Sequence, residues 1–153
     1  MAGLRPRFEK GPLTFLATTV ANGGNIKAGQ FVEFDGTTGK IKPATAASAK
    51  CLGLCIGDAS ASDFANANTQ DTWGNPVVNA HYPPNDVAVA YQGVWDVEVV
   101  GATVNPGDLI AVGAGGLAAT AGATPAAGVV VGRSVSAAPV AVGSKVRVRL
   151  TVI

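Results

Sequence analysis

The sequence predicts an all-β protein: a compact β-barrel or sandwich built from two similar β units, with an extended N-terminal arm and a long central loop. Short runs of β-branched residues lie between Gly and Pro turns, which is typical of β-strands. The 153 residues include 20 Gly, and 48% are hydrophobic but only 6% aromatic, which favours small-residue packing over amphipathic helices. A similar order of turns and strands also occurs twice, at 27–59 and 105–135, which indicates an internal repeat.

Length and charge limit the organisation and the partners. The length predicts a single β domain at 13–153 after an arm at 1–12. Only 14% of residues are charged, against about 25% in ordinary globular domains, so we expect copies of the chain or a partner to cover much of the surface. A net charge of +1 gives no general case for a nucleic acid or a membrane as partner. No apolar run approaches the ~20 residues that cross a bilayer.

The arm at 1–12, MAGLRPRFEKGP, has no strand or helix period. One interpretation is a frayed terminus. The other is an extended segment that becomes ordered on a partner, with Leu4 and Phe8 as apolar anchors and Arg5 and Arg7 bound to carboxylates.

The first half of the domain contains four predicted strands. Residues 13–20 form the first strand, and the first repeat begins with an apolar strand around 31–34. A loop at 35–39 closes a hairpin into 40–42. Residues 51–56 are apolar almost throughout, which predicts a strand covered on both faces.

The two cysteines, Cys51 and Cys55, lie in that last strand. Four residues apart, they are expected on the same face and about 13 Å from each other, at about 3.3 Å per residue. A disulfide needs Cα atoms within about 7 Å. We therefore expect buried, reduced thiols, as in a chain made in a reducing cytoplasm.

The segment 58–86 interrupts the repeats and is polar, Asn-rich and unusually long for a loop. It holds several of the few aromatic side chains. Such side chains often anchor contacts between subunits, and the alternative is that they cover the open end of a barrel. The candidate subunit-interface residues are Phe64, Trp73, His81 and Tyr82.

Residues 87–100 predict a β-hairpin, because the runs VAVAY and VWDVEVV flank Gln92 and Gly93. In the second run Asp96 and Glu98 share one face, and Trp95 lies on the other. Alternation of acids with valine is typical of the solvated face of a half-buried strand, and we do not expect catalysis from this acidic pair.

The second repeat matches the first in three blocks. Each repeat begins with a glycine turn before an apolar strand, continues with a second glycine, and ends in a Gly-flanked strand. The matched blocks are 29–32 with 107–110, 39–41 with 115–117, and 53–57 with 128–132.

The last strand, within 141–153, alternates valine and leucine with cations. Lys145, Arg147 and Arg149 therefore share one face. One interpretation is a solvated strand whose cations resist aggregation. The other is a basic stripe that binds acidic groups on a partner; without interleaved aromatic residues it is a weak indication of nucleic-acid binding.

No motif for chemistry is present. Residues 113–116, GAGG, lack the lysine and the following helix of a phosphate loop. There is no Gly-x-Ser-x-Gly elbow, and the single histidine makes a hydrolytic triad a poor fit. The sequence therefore favours a structural or binding protein over an enzyme, and we expect no cofactor and no metal.

The segments AGQFV at 28–32, CLGL at 51–54, PGDLI at 106–110 and AGVVVGR at 127–133, followed by a Val-rich last strand, carry a resemblance. Over about 13–153 the chain resembles the small capsid decoration (cement) proteins of tailed bacteriophages. The segment 58–86 departs from the simplest form of that pattern.

The resemblance implies a β-rich homotrimer made in the host cytoplasm and placed on the outer capsid surface of the virion. Such proteins bind the major capsid protein at three-fold positions and stabilise the shell, and a terminal arm such as 1–12 reaches neighbouring subunits. Three alternatives stay open: a tail or fibre component, a glycan-binding virion domain, and a small enzyme that uses the loop 58–86.

Overall fold

The protein is described by a computed structural model over residues 15–19, 25–36, 40–56, 59–60 and 86–152. Within these ranges the regular structure is two five-stranded antiparallel sheets, one two-stranded ribbon and a single 3₁₀ turn at Ala114–Gly116. The all-β prediction is confirmed. Some predicted site residues lie outside the described residues: Leu4, Arg5, Arg7, Phe8, Phe64, Trp73, His81 and Tyr82.

The first sheet has the strand order β1-β7-β5-β3-β4, and the ribbon pairs β2 with β6. Its strands follow the predicted apolar runs, and β3 and β4 form the predicted hairpin. The strands are β1 (Phe15–Thr19), β2 (Asn25–Ile26), β3 (Phe31–Phe34), β4 (Ile41–Pro43), β5 (Cys51–Cys55), β6 (Ala59–Ser60) and β7 (Asp86–Ala90).

The second sheet has the strand order β10-β9-β11-β12-β8. Its strand β10 directly follows the second sequence block at 115–117, and β11 begins two residues after the start of the third block at 128. The strands are β8 (Gln92–Glu98), β9 (Leu109–Val112), β10 (Ala118–Thr120), β11 (Val130–Ser134) and β12 (Lys145–Thr151).

Both sheets follow the same path through the chain. In each, a first strand takes one edge, a hairpin forms the other edge, and two later strands fill the space between them. The turn before the hairpin is also the same: Gly29 N–H donates to the carbonyl of Cys55 at 2.8 Å, and Gly107 N–H donates to the carbonyl of Ser134 at 3.0 Å. Both glycines have positive φ, 90° and 83°, which glycine adopts at little cost.

The predicted hairpin at 87–100 is wrong. Strands β7 and β8 form as expected, but they belong to different sheets, and the chain passes from one sheet to the other at Tyr91. Gly93, assigned to the hairpin turn, lies inside β8 opposite Leu150 of β12. A Gly with positive φ, here 100°, fits a strand distortion as well as a turn.

The alignment of the third sequence block is also wrong. Equivalent cross-strand pairs place Gly53 of β5 with Gly132 of β11, not with Gly128. Both strands carry a β-bulge at this point, with one extra residue, Leu52 in β5 and Val131 in β11. A bulge changes which face the following residues take, and this shift is not visible in the letters alone.

The bulge also corrects the prediction for the cysteines. Cys51 packs in a cluster that joins both sheets, whereas Cys55 packs in a second cluster on the opposite face of the first sheet. They therefore face opposite sides, because the extra residue Leu52 lies between them. Both thiols are buried, as predicted, and they are not joined in a disulfide bond.

The cluster that joins the sheets is the shared core. Phe31, Leu54 and Ala90 of the first sheet contribute to it together with Trp95 and Val148 of the second. The second cluster lies against the other face of the first sheet, so the prediction that 51–56 is covered on both faces is confirmed. Its members are Ile26, Val32, Ile41, Cys55 and Val89, with Leu52 packed against them.

Candidate functional site

Among the described residues, the largest group of charged side chains on one surface lies on the exposed face of the second sheet. Strand β12 alternates as predicted: Val146, Val148 and Leu150 are buried, while Lys145 and Arg149 are exposed. A two-residue period produces this pattern whenever one face of a strand packs on a core.

Cross-strand register gives each β12 cation a different neighbour. Arg147 lies opposite Asp96 of β8, and its Nε is 3.3 Å from the Asp96 Oδ1. Both side chains are about one-third exposed, so this pair stabilises the sheet only modestly. Lys145 lies opposite Glu98, and among the described residues these two make no ion pair.

A row of four residues, with two arginines at its centre, crosses the second sheet. Four residues on neighbouring strands form successive cross-strand pairs: Leu109 of β9, Arg133 of β11, Arg149 of β12 and Val94 of β8. Both arginines are exposed, and the two apolar side chains at the ends are half-buried. We call these four residues the arginine row.

Within the arginine row, Arg133 is held by its own chain. Its Nη1 donates to the carbonyl oxygen of Gly107 at 2.8 Å. The Arg149 side chain makes no hydrogen bond and no ion pair within the part of the chain that the structure describes. The alternation in β12 predicted Arg149 but not Arg133, because the pairing of β11 with β12 is not visible in the sequence.

The acidic pair on β8 has the role that its alternation predicts. Asp96 and Glu98 share the solvated face while Trp95 and Val97 are buried. Trp95 Nε1 donates to the carbonyl of Gln92 at 2.8 Å, which satisfies the buried indole. Across the described ranges no group of three or more His, Cys, Asp or Glu side chains could hold a metal ion.

One carboxylate, Glu33, is buried in the first sheet, which no sequence pattern predicted. Glu33 is 7% exposed and accepts a hydrogen bond from the buried Ser48 hydroxyl. The Thr45 hydroxyl lies 3.4 Å from both carboxylate oxygens, and Lys42 Nζ lies 3.8 Å from one of them. This cluster fixes the turn after β4 to the sheet, which is a structural role.

Cys51 lies across from Glu33 in the same sheet. Burial, with a smaller contribution from the Glu33 charge, raises the pKa of the Cys51 thiol to about 12 from its ordinary value of 9.0. The thiol is therefore protonated at neutral pH and is a poor nucleophile.

The fold of the chain is similar to that of a solved protein structure. It is similar to a crystal structure of the head fibre gp8.5 N base of bacteriophage phi29, with a TM-score of 0.58 at 16% identity, over 90% of this chain and 95% of that chain. At this identity the likeness shows the fold alone. Among curated proteins no sequence matches the chain significantly.

The sequence gives the family. Residues 4–151 match the family described as structural cement protein (E217 gp24/Pam3 gp6), which is nearly the whole chain. The chain therefore belongs to this family of structural phage proteins, and the resemblance noted in the sequence is confirmed. The members of the family are structural proteins of the virion, which is not an enzyme class. In the described ranges no helix is long and apolar enough to cross a membrane.

Proposed function

We propose that the protein binds the outer surface of a phage capsid, at three-fold positions as a homotrimer, and stabilises the shell by contacts with the major capsid protein. The observation that carries this proposal is the family match over residues 4–151. The match begins at Leu4 and so includes the residues assigned to the arm.

The described architecture supports this function on physical grounds. A cement protein acts through many modest contacts made to several shell subunits at once, which together resist separation of those subunits. Two five-stranded sheets joined by a shared core provide a stiff body that loses little conformational entropy on binding. Binding energy can then oppose shell expansion without being spent on ordering the domain.

The arm is assigned to the capsid in this proposal. Leu4 and Phe8 supply apolar anchors, and Arg5 and Arg7 supply charge-assisted hydrogen bonds to shell carboxylates. A segment that becomes ordered on binding can cover a long surface across neighbouring subunits.

The aromatic residues of the central segment are assigned to contacts between copies of the chain. Large aromatic side chains carry much of the binding energy at protein interfaces. In this proposal they form the subunit contacts of the trimer. These residues are Phe64, Trp73, His81 and Tyr82.

Adding the protein back to stripped heads tests the proposal. Phage heads that lack this protein are mixed with the full-length chain or with a chain lacking 1–12, and occupancy is measured by cryo-electron microscopy. We expect the full-length chain to fill the three-fold positions and the shortened chain to bind more weakly. Density at tail or fibre positions, or no binding to the shell by either chain, would contradict the proposal.

Oligomeric state is tested separately, by light scattering of the free protein. The wild-type chain is expected to have the mass of a trimer, and Trp73→Ala is expected to lower that mass or raise the concentration needed for assembly. A wild-type mass that corresponds to a monomer or a dimer would contradict the homotrimer.

A further inference from the structure

The arginine row on the second sheet has the chemistry of a docking site. We propose that Arg133 and Arg149 together bind carboxylates of an extended acidic segment of the capsid shell protein. This inference rests on the proposed function in one respect, namely that the partner belongs to the capsid. It goes further by naming the surface, the two residues and the chemistry of the segment.

The positions of the two cations favour an acidic partner. Arg133 and Arg149 lie directly opposite each other on neighbouring strands, where like charges destabilise a sheet. The Asp96 carboxylate on β8 is bound by Arg147, which lies two residues from Arg149 along β12. Arg133 and Arg149 therefore form a like-charged pair that has no carboxylate partner among the described residues. A carboxylate from a bound protein would offset the repulsion between them.

The arrangement of the row suits an extended peptide. Leu109 and Val94 flank the arginine pair and are half-buried, so each end of the row offers an apolar contact. Arg133 is already oriented by its bond to Gly107, which lowers the entropy lost when it binds a partner. A strand-like peptide with one or two acids between apolar residues has the matching pattern.

The charges around the row favour a protein carboxylate over a nucleic acid as the occupant. Asp96 and Glu98 lie on the same exposed face, one strand away from Arg147 and Lys145. Carboxylates on this face repel a phosphate backbone, and nucleic-acid surfaces combine broad positive charge with stacked aromatic residues. A protein carboxylate needs only the local pair of arginines.

The equivalent face of the first sheet is covered by the shared core. The register aligns Leu54 with Arg133 and Ala90 with Arg149. Leu54 and Ala90 are buried in the shared core, and so is Phe31, the counterpart of Leu109. In the first sheet this face packs in the core. In the second sheet the same face has cations at its central positions, and these cations stay solvated until a partner binds.

Matched single-charge variants test the inference on stripped phage heads. Arg149→Gln and Arg133→Gln each remove one cation from the row, Lys145→Gln removes one from the same strand outside the row, and Arg149→Lys keeps the charge but loses the planar fork. Affinity for the heads is measured at two salt concentrations, and thermal unfolding of each variant is followed by circular dichroism. Arg149 is the primary site, because its side chain makes no hydrogen bond or ion pair within the described residues whose loss would destabilise the sheet.

We expect Arg149→Gln and Arg133→Gln to weaken head binding at least about tenfold, Arg149→Lys to weaken it less, and Lys145→Gln to leave it nearly unchanged. The melting temperature of Arg149→Gln is expected to be unchanged or higher. Equal losses for Lys145→Gln and Arg149→Gln would overturn the inference in favour of a general basic surface.

Two further outcomes separate the inference from the proposed function. Wild-type binding to heads with no loss in Arg149→Gln would overturn the arginine row and leave the capsid-binding function standing. No wild-type binding would overturn both. A double-stranded DNA fragment that binds the wild type and not Arg149→Gln, in a gel-shift assay, would overturn the assignment to a protein carboxylate.

Discussion

The two sheets share a strand path, a glycine turn and a bulge, yet they use the same face in opposite ways. In the first sheet this face holds Phe31 and Leu54, which are completely buried in the shared core. In the second sheet the counterparts are Leu109 and Arg133, and the face is open to solvent. The backbone plan is set by turns and bulges, while a few side chains decide whether a face becomes core or contact surface.

The comparison also separates what the fold requires from what each copy can vary. Glycine occupies the position after the bulge in both sheets, at Gly53 and Gly132. Other equivalent positions differ in chemistry: Glu33 corresponds to Ala111, and Cys55 corresponds to Ser134. Substitutions that exchange one sheet's residue for the other's therefore test which differences the structure depends on.

The glycines after the bulges are expected to give the largest effect. A Cβ at Gly53 would lie less than 3.0 Å from the Ala90 carbonyl oxygen, and a Cβ at Gly132 would lie equally close to the Arg149 carbonyl oxygen. Gly53→Ala and Gly132→Ala are each expected to lower the free energy of unfolding by about 3 kcal/mol or more, because neighbouring backbone must move. Urea unfolding measures both.

Gly122→Ala is the control for these two variants. Gly122 has a φ of 74°, but nothing lies within 4 Å of its added Cβ. We expect a cost of about 1 kcal/mol from backbone strain alone. Costs as small as this at both Gly53 and Gly132 would show that the close strand approach is not a shared requirement.

Glu33→Ala converts a polar position of the first sheet into the alanine of the second. The buried Ser48 hydroxyl would lose its carboxylate acceptor, and we expect a loss of about 2–3 kcal/mol in the free energy of unfolding. The double variant Glu33→Ala with Ser48→Ala should recover part of that loss, since no buried hydroxyl is then left unpaired. No recovery would argue against the hydrogen bond as the cause.

Cys51→Val gives the first sheet the residue that Val130 supplies in the second. The thiol pKa is about 12 in the fold and 9.0 ordinarily, so the folded state keeps a proton that the unfolded state loses above pH 9. Stability from this group is complete below pH 9 and falls by about 1.4 kcal/mol per pH unit as pH rises towards 12. Urea unfolding at pH 8 and pH 10.5 should therefore show a smaller pH dependence in Cys51→Val, and equal slopes would contradict the assignment.

Ser134→Ala is expected to give the smallest effect. The Ser134 hydroxyl is buried and has no hydrogen-bond partner among the described residues, and its counterpart Cys55 packs in an apolar cluster. Removing the hydroxyl should change the free energy of unfolding by less than about 1 kcal/mol, and towards greater stability. A loss of 2 kcal/mol or more would show that the hydroxyl has a bonding partner in solution.

The sequence predicted the strands better than their partners. Most runs of β-branched residues became strands, and the alternation in β12 placed its cations on one face as expected. The hairpin at 87–100 failed because Gly93 is a strand distortion, which has the same local sequence as a turn. Pairing depends on which distant strand offers a matching apolar face, and no local pattern carries that information.

The candidate site was only partly predictable from the sequence, because some of its contacts depend on which strands pair. Lys145, Arg147 and Arg149 were found from a period of two, which is local. The pairing of Arg147 with Asp96 and of Arg149 with Arg133 required the β8-β12-β11 order, which is not local. The shift caused by the bulge at Leu52, which put the two cysteines on opposite faces, was equally invisible.

The most direct test of the account is a cryo-electron microscopy map of the decorated head at a resolution that places side chains. We predict that the exposed face of the second sheet lies against the shell, with Arg133 and Arg149 within hydrogen-bond distance of shell carboxylates. A map in which this face points to solvent, while another surface of the domain carries the contact, would contradict the account.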